Sequence, residues 1–141
     1  MVSTVAVGVD GSSTAGEAVT LAAELARRFD AQLVLLSAYD DAGGAAPSRA
    51  GDDELQWATS SSARQREILA RTEDRLKQDG LRCSALVAEG DPADVLVRLA
   101  EQCAADVLVV GNKGMHRRVL GSVPNTVTHK AGCSVLVVKT T

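Results

Sequence analysis

Two pairs of small residues in the last third of the chain have the types and spacing of an anion-binding segment. Gly111 and Gly114 follow a short apolar run, and Gly121 and Ser122 stand where a helix is expected to begin. Glycine has no Cβ, so neighbouring backbone N–H groups can approach an anion, and a helix N-terminus leaves about four N–H groups unpaired. Lys113 adds positive charge between the two glycines of the first pair. The pattern therefore predicts phosphate binding.

Each of these residues also has a purely structural interpretation. A glycine pair in a loop is often only a turn, and Ser122 can cap a helix without touching a ligand. The order of buried strand, glycines and helix start favours phosphate binding over turn chemistry alone. Asp10 follows the first apolar run, and its residue type is equally consistent with a turn carboxylate and with a ligand contact.

The elements that must position these residues can be predicted from apolar runs and helical spacing. Short continuous apolar runs indicate strands covered on both faces. We expect five strands, at Thr4–Val9, Leu33–Ala38, Leu81–Ala88, Val107–Val110 and Ser134–Val138. Apolar residues at helical spacing indicate helices over about 15–29, 57–78, 92–103 and 123–130. This alternation predicts a parallel sheet with helices on both faces.

The predicted sheet would gather several of the candidate residues at one edge. In open parallel sheets, ligands bind beyond the carboxyl ends of the strands, where the strand order reverses. Asp10, Ala38, Gly90 and Gly111 all lie at or just past the end of an expected strand. We therefore expect them to line one pocket with the glycine segment.

Composition argues against several classes of function. A chain of 141 residues predicts a single domain over 1–141, and its net charge of −3 argues against general binding to nucleic acids or anionic membranes. No stretch approaches the roughly twenty apolar residues that cross a bilayer, and the chain does not begin with a cationic leader, so we predict a cytoplasmic protein.

Motifs of common catalytic centres are also missing from the sequence. The chain contains no P-loop, no nucleophile elbow and no zinc-protease motif. Its three cysteines are far apart and fit no metal-ligand spacing, which favours buried, reduced thiols. Binding with little or no catalysis is therefore favoured over turnover.

Three segments resemble the universal stress protein family. They are VGVDGS after the first strand, EGDP before the third helix, and VVGNKG with LGSVPNTV around the start of the fourth helix. The similarity runs over the whole chain, including the closing CSVLVV. It implies a Rossmann-like, five-stranded parallel sheet of order 3-2-1-4-5, as in the adenine nucleotide alpha hydrolases. It also implies an ATP-binding stress-response regulator that forms a homodimer through the last strand, Ser134–Val138.

The resemblance further implies an adenine-nucleotide site made of residues from four loops. Ribose and phosphates would be met by Gly111, Asn112, Lys113 and Gly114, and the α- and β-phosphates by Gly121, Ser122 and Val123. Adenine would be met by backbone groups of Val9 and Ala38, with Gly90 letting the backbone approach the base. Asp10 would contact the ribose or a magnesium ion.

The sequence departs from the family in the length of the loop before the fourth helix. Only six residues separate Gly114 from Gly121, fewer than in the family's nucleotide-binding signature. Such a loop either closes over a triphosphate or leaves the γ-phosphate uncovered, which suits AMP or cyclic AMP. ATP is the expected ligand, and the alternatives are cyclic AMP, a slow ATPase, and a nucleotide-free interaction protein of the same fold.

Overall fold

Strands and helices alternate along the chain. The computed structural model describes residues 1–10, 13–40, 62–112 and 121–139. The elements are β1 (Thr4–Gly8), α1 (Ser13–Phe29), β2 (Gln32–Tyr39), α2 (Ser62–Gln78), β3 (Cys83–Glu89), α3 (Pro92–Gln102), β4 (Val107–Asn112), α4 (Ser122–Lys130) and β5 (Ser134–Lys139). All five strands are parallel and lie in the order β3-β2-β1-β4-β5, which confirms the expected fold.

Two strand boundaries differ from the sequence prediction by two residues, and the other strand ends agree within one residue. Leu81 precedes β3 and belongs to the turn after α2, where its N–H donates to the carbonyl of Leu76 at 3.1 Å. Strand β4 continues through Gly111 and Asn112, because β5 runs alongside and pairs with both residues. The early part of the predicted second helix, before Ser62, lies outside the described residues.

The sheet buries both of its faces under helices. Val7 and Leu35 are fully buried in a cluster with residues of α1 and α2, whereas Leu36 and Leu108 are fully buried in a cluster with residues of α3 and α4. This two-sided burial explains why the central strands read as continuous apolar runs rather than alternating ones. None of the helices in the described ranges is both long and apolar enough to cross a bilayer.

Asp106 joins the start of β4 to the start of β1 at the amino-terminal edge of the sheet. Its carboxylate accepts the N–H of Ser3 at 2.8 Å and the N–H of Thr4 at 3.0 Å. The N–H of Asp106 donates in turn to the carbonyl of Thr4 at 2.9 Å. These backbone hydrogen bonds lower the pKa of the Asp106 carboxyl below its ordinary value of 3.8.

We expect Asp106→Asn to flatten the acid limb of the stability curve. A carboxyl whose pKa is lower in the folded state contributes stability that is present above the unfolded pKa and lost as pH falls through the folded pKa. As the pH falls below 3.8, the wild-type protein should therefore lose the stability contributed by the Asp106 carboxylate. The variant has no titratable group at this position, so its stability should not change for this reason at any pH. Urea midpoints measured from neutral pH downwards test this, and parallel acid limbs for the two proteins would contradict it.

Candidate functional site

The carboxyl ends of β1 and β4 lie side by side where the strand order reverses. β1 pairs with β2 on one side and with β4 on the other. The last register pair between β1 and β4 joins Val7 to Val109, and β4 continues beyond it to Asn112. Gly111 therefore lies past the paired part of β1, on the edge that also carries Asp10. This is the position at which open parallel sheets bind ligands.

Backbone groups at the end of β1 and β2 are placed differently for Val9 and Ala38. The N–H of Val9 donates to the carbonyl of Leu36 at 2.8 Å, and the carbonyl of Val9 accepts the hydroxyl of Ser37 at 2.7 Å. An adenine would thus compete with protein groups for Val9. Residues two apart on a strand direct their backbone groups to the same side, so the N–H and C=O of Ala38, like those of Leu36, face the β1 side, beyond the end of β1.

Asp10 places a carboxylate at this edge. Its residue is only 7% exposed, and no other acidic residue in the described ranges is buried to this degree. Within the same ranges, no group of three or more His, Cys, Asp or Glu side chains could hold a metal ion. A magnesium ion bound by Asp10 would therefore take its other ligands from phosphate oxygens and water, as Mg²⁺ commonly does.

Gly90 has a backbone conformation that favours glycine, and its surroundings leave little room for a Cβ. Its φ of +138° lies in a region that side-chain-bearing residues rarely adopt, and a Cβ there would lie 3.2 Å from Cγ2 of Val95. Its N–H donates to the carbonyl of Tyr39 at 3.1 Å. The carboxylate of Asp91, the next residue, caps α3 by accepting the N–H of Asp94 at 3.1 Å. Gly90 thus turns the chain from β3 into α3 at the same edge.

Helix α4 begins without a side-chain cap. Gly121 occupies the cap position and Ser122 is the first helical residue, so the structure does not support the interpretation of Ser122 as the cap. The N–H of Asn125 donates to the carbonyl of Gly121 at 3.0 Å and opens the helical series. Because Pro124 has no N–H, the remaining first-turn amides belong to Ser122 and Val123. A helix start of this kind carries partial positive charge and favours anions.

Asn112 connects the end of β4 to the start of α4. Its residue is fully buried, and its side-chain oxygen Oδ1 accepts the N–H of Gly121 at 2.7 Å. One of the amides expected to meet a phosphate is therefore engaged by a protein side chain. A contact between Asn112 and the ribose or phosphates stays a prediction. Lys113 and Gly114 lie outside the described residues.

Sequence reasoning missed a buried polar pair beneath the end of β1. Ser37 and Gln65 are both fully buried, and Oγ of Ser37 lies 2.7 Å from the carbonyl of Val9 and 2.8 Å from Oε1 of Gln65. As placed, Nε2 of Gln65 is buried without a hydrogen-bond partner. The only available signal was one serine inside the apolar run LVLLSA; nothing in the polar helix marked Gln65.

The proton count indicates how this pair is connected. A serine hydroxyl has one proton, and a carbonyl such as that of Val9 can only accept. If Ser37 donates to Val9, the neighbouring atom of Gln65 must itself be a donor, which requires the amide to be turned by half a rotation. In that orientation Gln65 donates to Ser37 and Ser37 donates to Val9. These two hydrogen bonds then hold the end of β1 directly before Asp10.

The surroundings of the three cysteines disfavour the thiolate form. All are free thiols; Cys83 is buried, and Cys103 and Cys133 are half-buried. Burial raises the pKa of each thiol, and that of Cys83 to about 11. Thiols that remain protonated at neutral pH are poor nucleophiles and poor metal ligands. The prediction of buried thiols holds for Cys83, whereas Cys103 and Cys133 are only half-buried.

The chain is similar in sequence and in fold to known proteins. A family model described as the universal stress protein family matches residues 1–139. Universal stress protein Rv1636 of Mycobacterium tuberculosis is 40% identical over 148 residues, covering 98% of this chain and 97% of the relative. A crystal structure of a universal stress protein in complex with cAMP is 35% identical, with a TM-score of 0.75 over 99% of both chains. The protein MJ0577 shares the fold, with a TM-score of 0.79 at 21% identity over 100% of this chain and 98% of its own.

Proposed function

The chain belongs to the universal stress protein family, and we propose that it is an adenine-nucleotide-binding member that acts as a stress-response regulator with little or no catalysis. The observation that supports this most is the start of α4, which has no side-chain cap and follows the strand whose end lies beside that of β1 at the strand-order reversal. We also propose that residues 1–141 form one domain and that the protein is cytoplasmic.

Adenine would be read by backbone groups at the end of β2. The N–H and C=O of Ala38 offer a donor and an acceptor side by side, which match the acceptor N1 and the donor amino group on the edge of adenine. Guanine presents a donor and an acceptor at the corresponding positions and would fit poorly. Val9 would contribute mainly packing, because its backbone groups already bond to Leu36 and Ser37.

The sugar and phosphates would lie between β4 and α4. In this proposal Asp10 contacts the ribose or a magnesium ion, and Gly90 borders the base. The phosphates would lie among the remaining predicted residues, which are Gly111, Asn112, Lys113, Gly114, Gly121, Ser122 and Val123. The only catalytic candidate within the described ranges is Asp10, and efficient phosphoryl transfer needs a positioned base together with metal ligands.

Cyclic AMP is a second candidate ligand beside ATP. The 35% identical relative was solved with cAMP, and the short spacing between Gly114 and Gly121 suits a ligand with fewer phosphates. The length of the segment between Gly114 and Gly121 would therefore decide how many phosphate groups the preferred adenine nucleotide carries.

Calorimetric titration of the purified chain tests the proposed ligand class. We expect ATP, AMP or cyclic AMP to bind at least about tenfold more tightly than GTP, a difference of ~1.4 kcal/mol. Mass spectrometry of small molecules released on denaturation identifies any ligand that is carried through purification. If no adenine nucleotide binds, the chain is a nucleotide-free interaction protein. Phosphate release from ATP that Asp10→Asn abolishes would establish the slow-ATPase alternative.

A homodimer through β5 is the expected assembly. β5 is the last strand in the sheet order and pairs with β4 on one side, and its residues Val135–Val138 are half-buried. A strand with one unpaired edge can pair with a second copy around a two-fold axis. We expect light scattering at micromolar concentration to give twice the chain mass. A monomeric mass that persists as concentration rises would contradict this assembly.

A further inference from the structure

Asn112 is separated from solvent, and its side chain is already committed. It is fully buried at the end of β4, and its backbone lies in the ladder opposite Lys139. Its Oδ1 accepts the N–H of Gly121, nine residues further along the chain, at 2.7 Å. A side chain held in this way is poorly placed to reach a ribose, and well placed to hold the two ends of the glycine segment at a fixed separation.

The choice of donor makes this contact suited to an anion site. An ordinary helix cap is a side chain whose oxygen accepts N–H groups of the first helical turn and so removes them from a ligand. Here the cap residue, Gly121, has no side chain, and no side-chain cap bond forms. Asn112 fixes the helix start through the N–H of Gly121, one residue before the first turn. The amides of Ser122 and Val123 are therefore not consumed by the contact that positions them.

We propose that Asn112 is a positioning residue for the nucleotide phosphates, acting through its bond to Gly121 rather than by touching the ligand. This inference rests on the proposed nucleotide site and names how that site is held. Phosphate binding by backbone amides depends on several donors pointing at one place. The sheet anchors Asn112, and Asn112 sets where α4 begins relative to Gly111.

Two variants break the same bond from opposite ends. Asn112→Ala removes the acceptor. Gly121→Pro removes the donor, and the φ of −62° at Gly121 is close to the angle that proline adopts. Gly121→Ala is the reference for Gly121→Pro, because it also adds a Cβ at this position but keeps the N–H, at a φ that alanine accepts. Asn125→Ala is a second control, since it replaces an exposed asparagine on the same helix.

The experiment is calorimetric titration of the wild-type protein and the four variants with ATP, AMP and adenosine, alongside thermal unfolding. We expect Asn112→Ala and Gly121→Pro to weaken ATP and AMP binding at least tenfold and adenosine binding less than twofold. A fifth variant that combines Asn112→Ala with Gly121→Pro should bind ATP about as weakly as either of these alone, because the two substitutions remove the same hydrogen bond. Asn125→Ala should bind all three ligands as the wild type does.

The outcomes separate this inference from the function on which it rests. If the wild type binds none of the three ligands and no cyclic AMP either, the nucleotide site itself is wrong, and the role of Asn112 falls with it. If the wild type binds ATP and both bond-breaking variants bind it equally well, only the positioning role is overturned. An equal loss for ATP and adenosine would likewise overturn it in favour of a general structural role. Should Asn112→Ala fail to fold, the comparison of Gly121→Pro with Gly121→Ala still decides between these outcomes.

Discussion

Ser122→Asp is expected to weaken ATP binding at least about tenfold while leaving the protein as stable as the wild type or slightly more so. Ser122 is exposed at the first position of α4. A carboxylate in the first turn interacts favourably with the helix dipole by about 0.3–1 kcal/mol. The same carboxylate would repel the phosphates that the site is proposed to hold, and a tenfold loss requires only ~1.4 kcal/mol of repulsion.

A matched charge at the other end of the same helix provides the control. Thr128 is exposed near the end of α4, where Thr128→Asp adds the same charge away from the proposed phosphates. We expect this variant to bind ATP like the wild type and to be slightly less stable, because acids are unfavourable near a helix C-terminus. The ATP effect of Ser122→Asp should shrink as salt is added and should be small for adenosine. Unchanged ATP affinity in Ser122→Asp would place the phosphates elsewhere.

Ser37→Ala is expected to cost about 1–3 kcal/mol of unfolding free energy, the usual penalty for leaving buried polar groups unsatisfied. The substitution removes the donor to the carbonyl of Val9 and the partner of Gln65, all at buried positions. Because Val9 directly precedes Asp10, the released end of β1 should also weaken nucleotide binding. Urea denaturation with calorimetric titration of the same samples measures both effects.

Gln65→Met removes the hydrogen bond between Gln65 and Ser37 and leaves the bond between Ser37 and Val9. Methionine keeps the length of the side chain and removes the amide whose Nε2 has no partner as placed, while Ser37 can still donate to Val9. We expect its unfolding free energy to lie within about 1 kcal/mol of the wild-type value. A variant that combines Ser37→Ala with Gln65→Met should be more stable than the sum of the two single effects predicts. A loss for Gln65→Met as large as that for Ser37→Ala would mean that the amide makes a bond the protein requires.

The fold was predictable because the strands are covered on both faces. Burial on two sides makes runs such as Leu33–Ala38 continuously apolar, and continuous runs separated by helical spacing indicate a parallel sheet. Gly111 and Gly121 could likewise be proposed as site residues from the sequence, since glycine allows a close approach of the backbone to an anion through a purely local property. Ser122 was predicted to belong to the site and interpreted as a possible helix cap, and the structure places it one residue later, at the first helical position.

The contacts that hold the site together were not predictable from one sequence. Asn112 and Gly121 are nine residues apart, and the separation between Ser37 and Gln65 is 28 residues. No periodicity connects residues at such distances, and only the packing of α2 and α4 against the sheet brings them together. The end of β4 was placed too early for a related reason, since glycine discourages a strand locally while the neighbouring β5 maintains it.

The hydrogen-bond ladder between β4 and β5 connects the proposed nucleotide site to the strand at which a second copy of the chain is expected to bind. It pairs every residue of β4, from Val107 opposite Ser134 to Asn112 opposite Lys139. The strand that ends in the proposed site is thus bonded throughout to the strand expected between subunits. By thermodynamic reciprocity, any change that a nucleotide makes in the subunit dissociation constant must equal the change that subunit association makes in nucleotide affinity. Apparent nucleotide affinity that varies with protein concentration would then report communication between two copies of the chain.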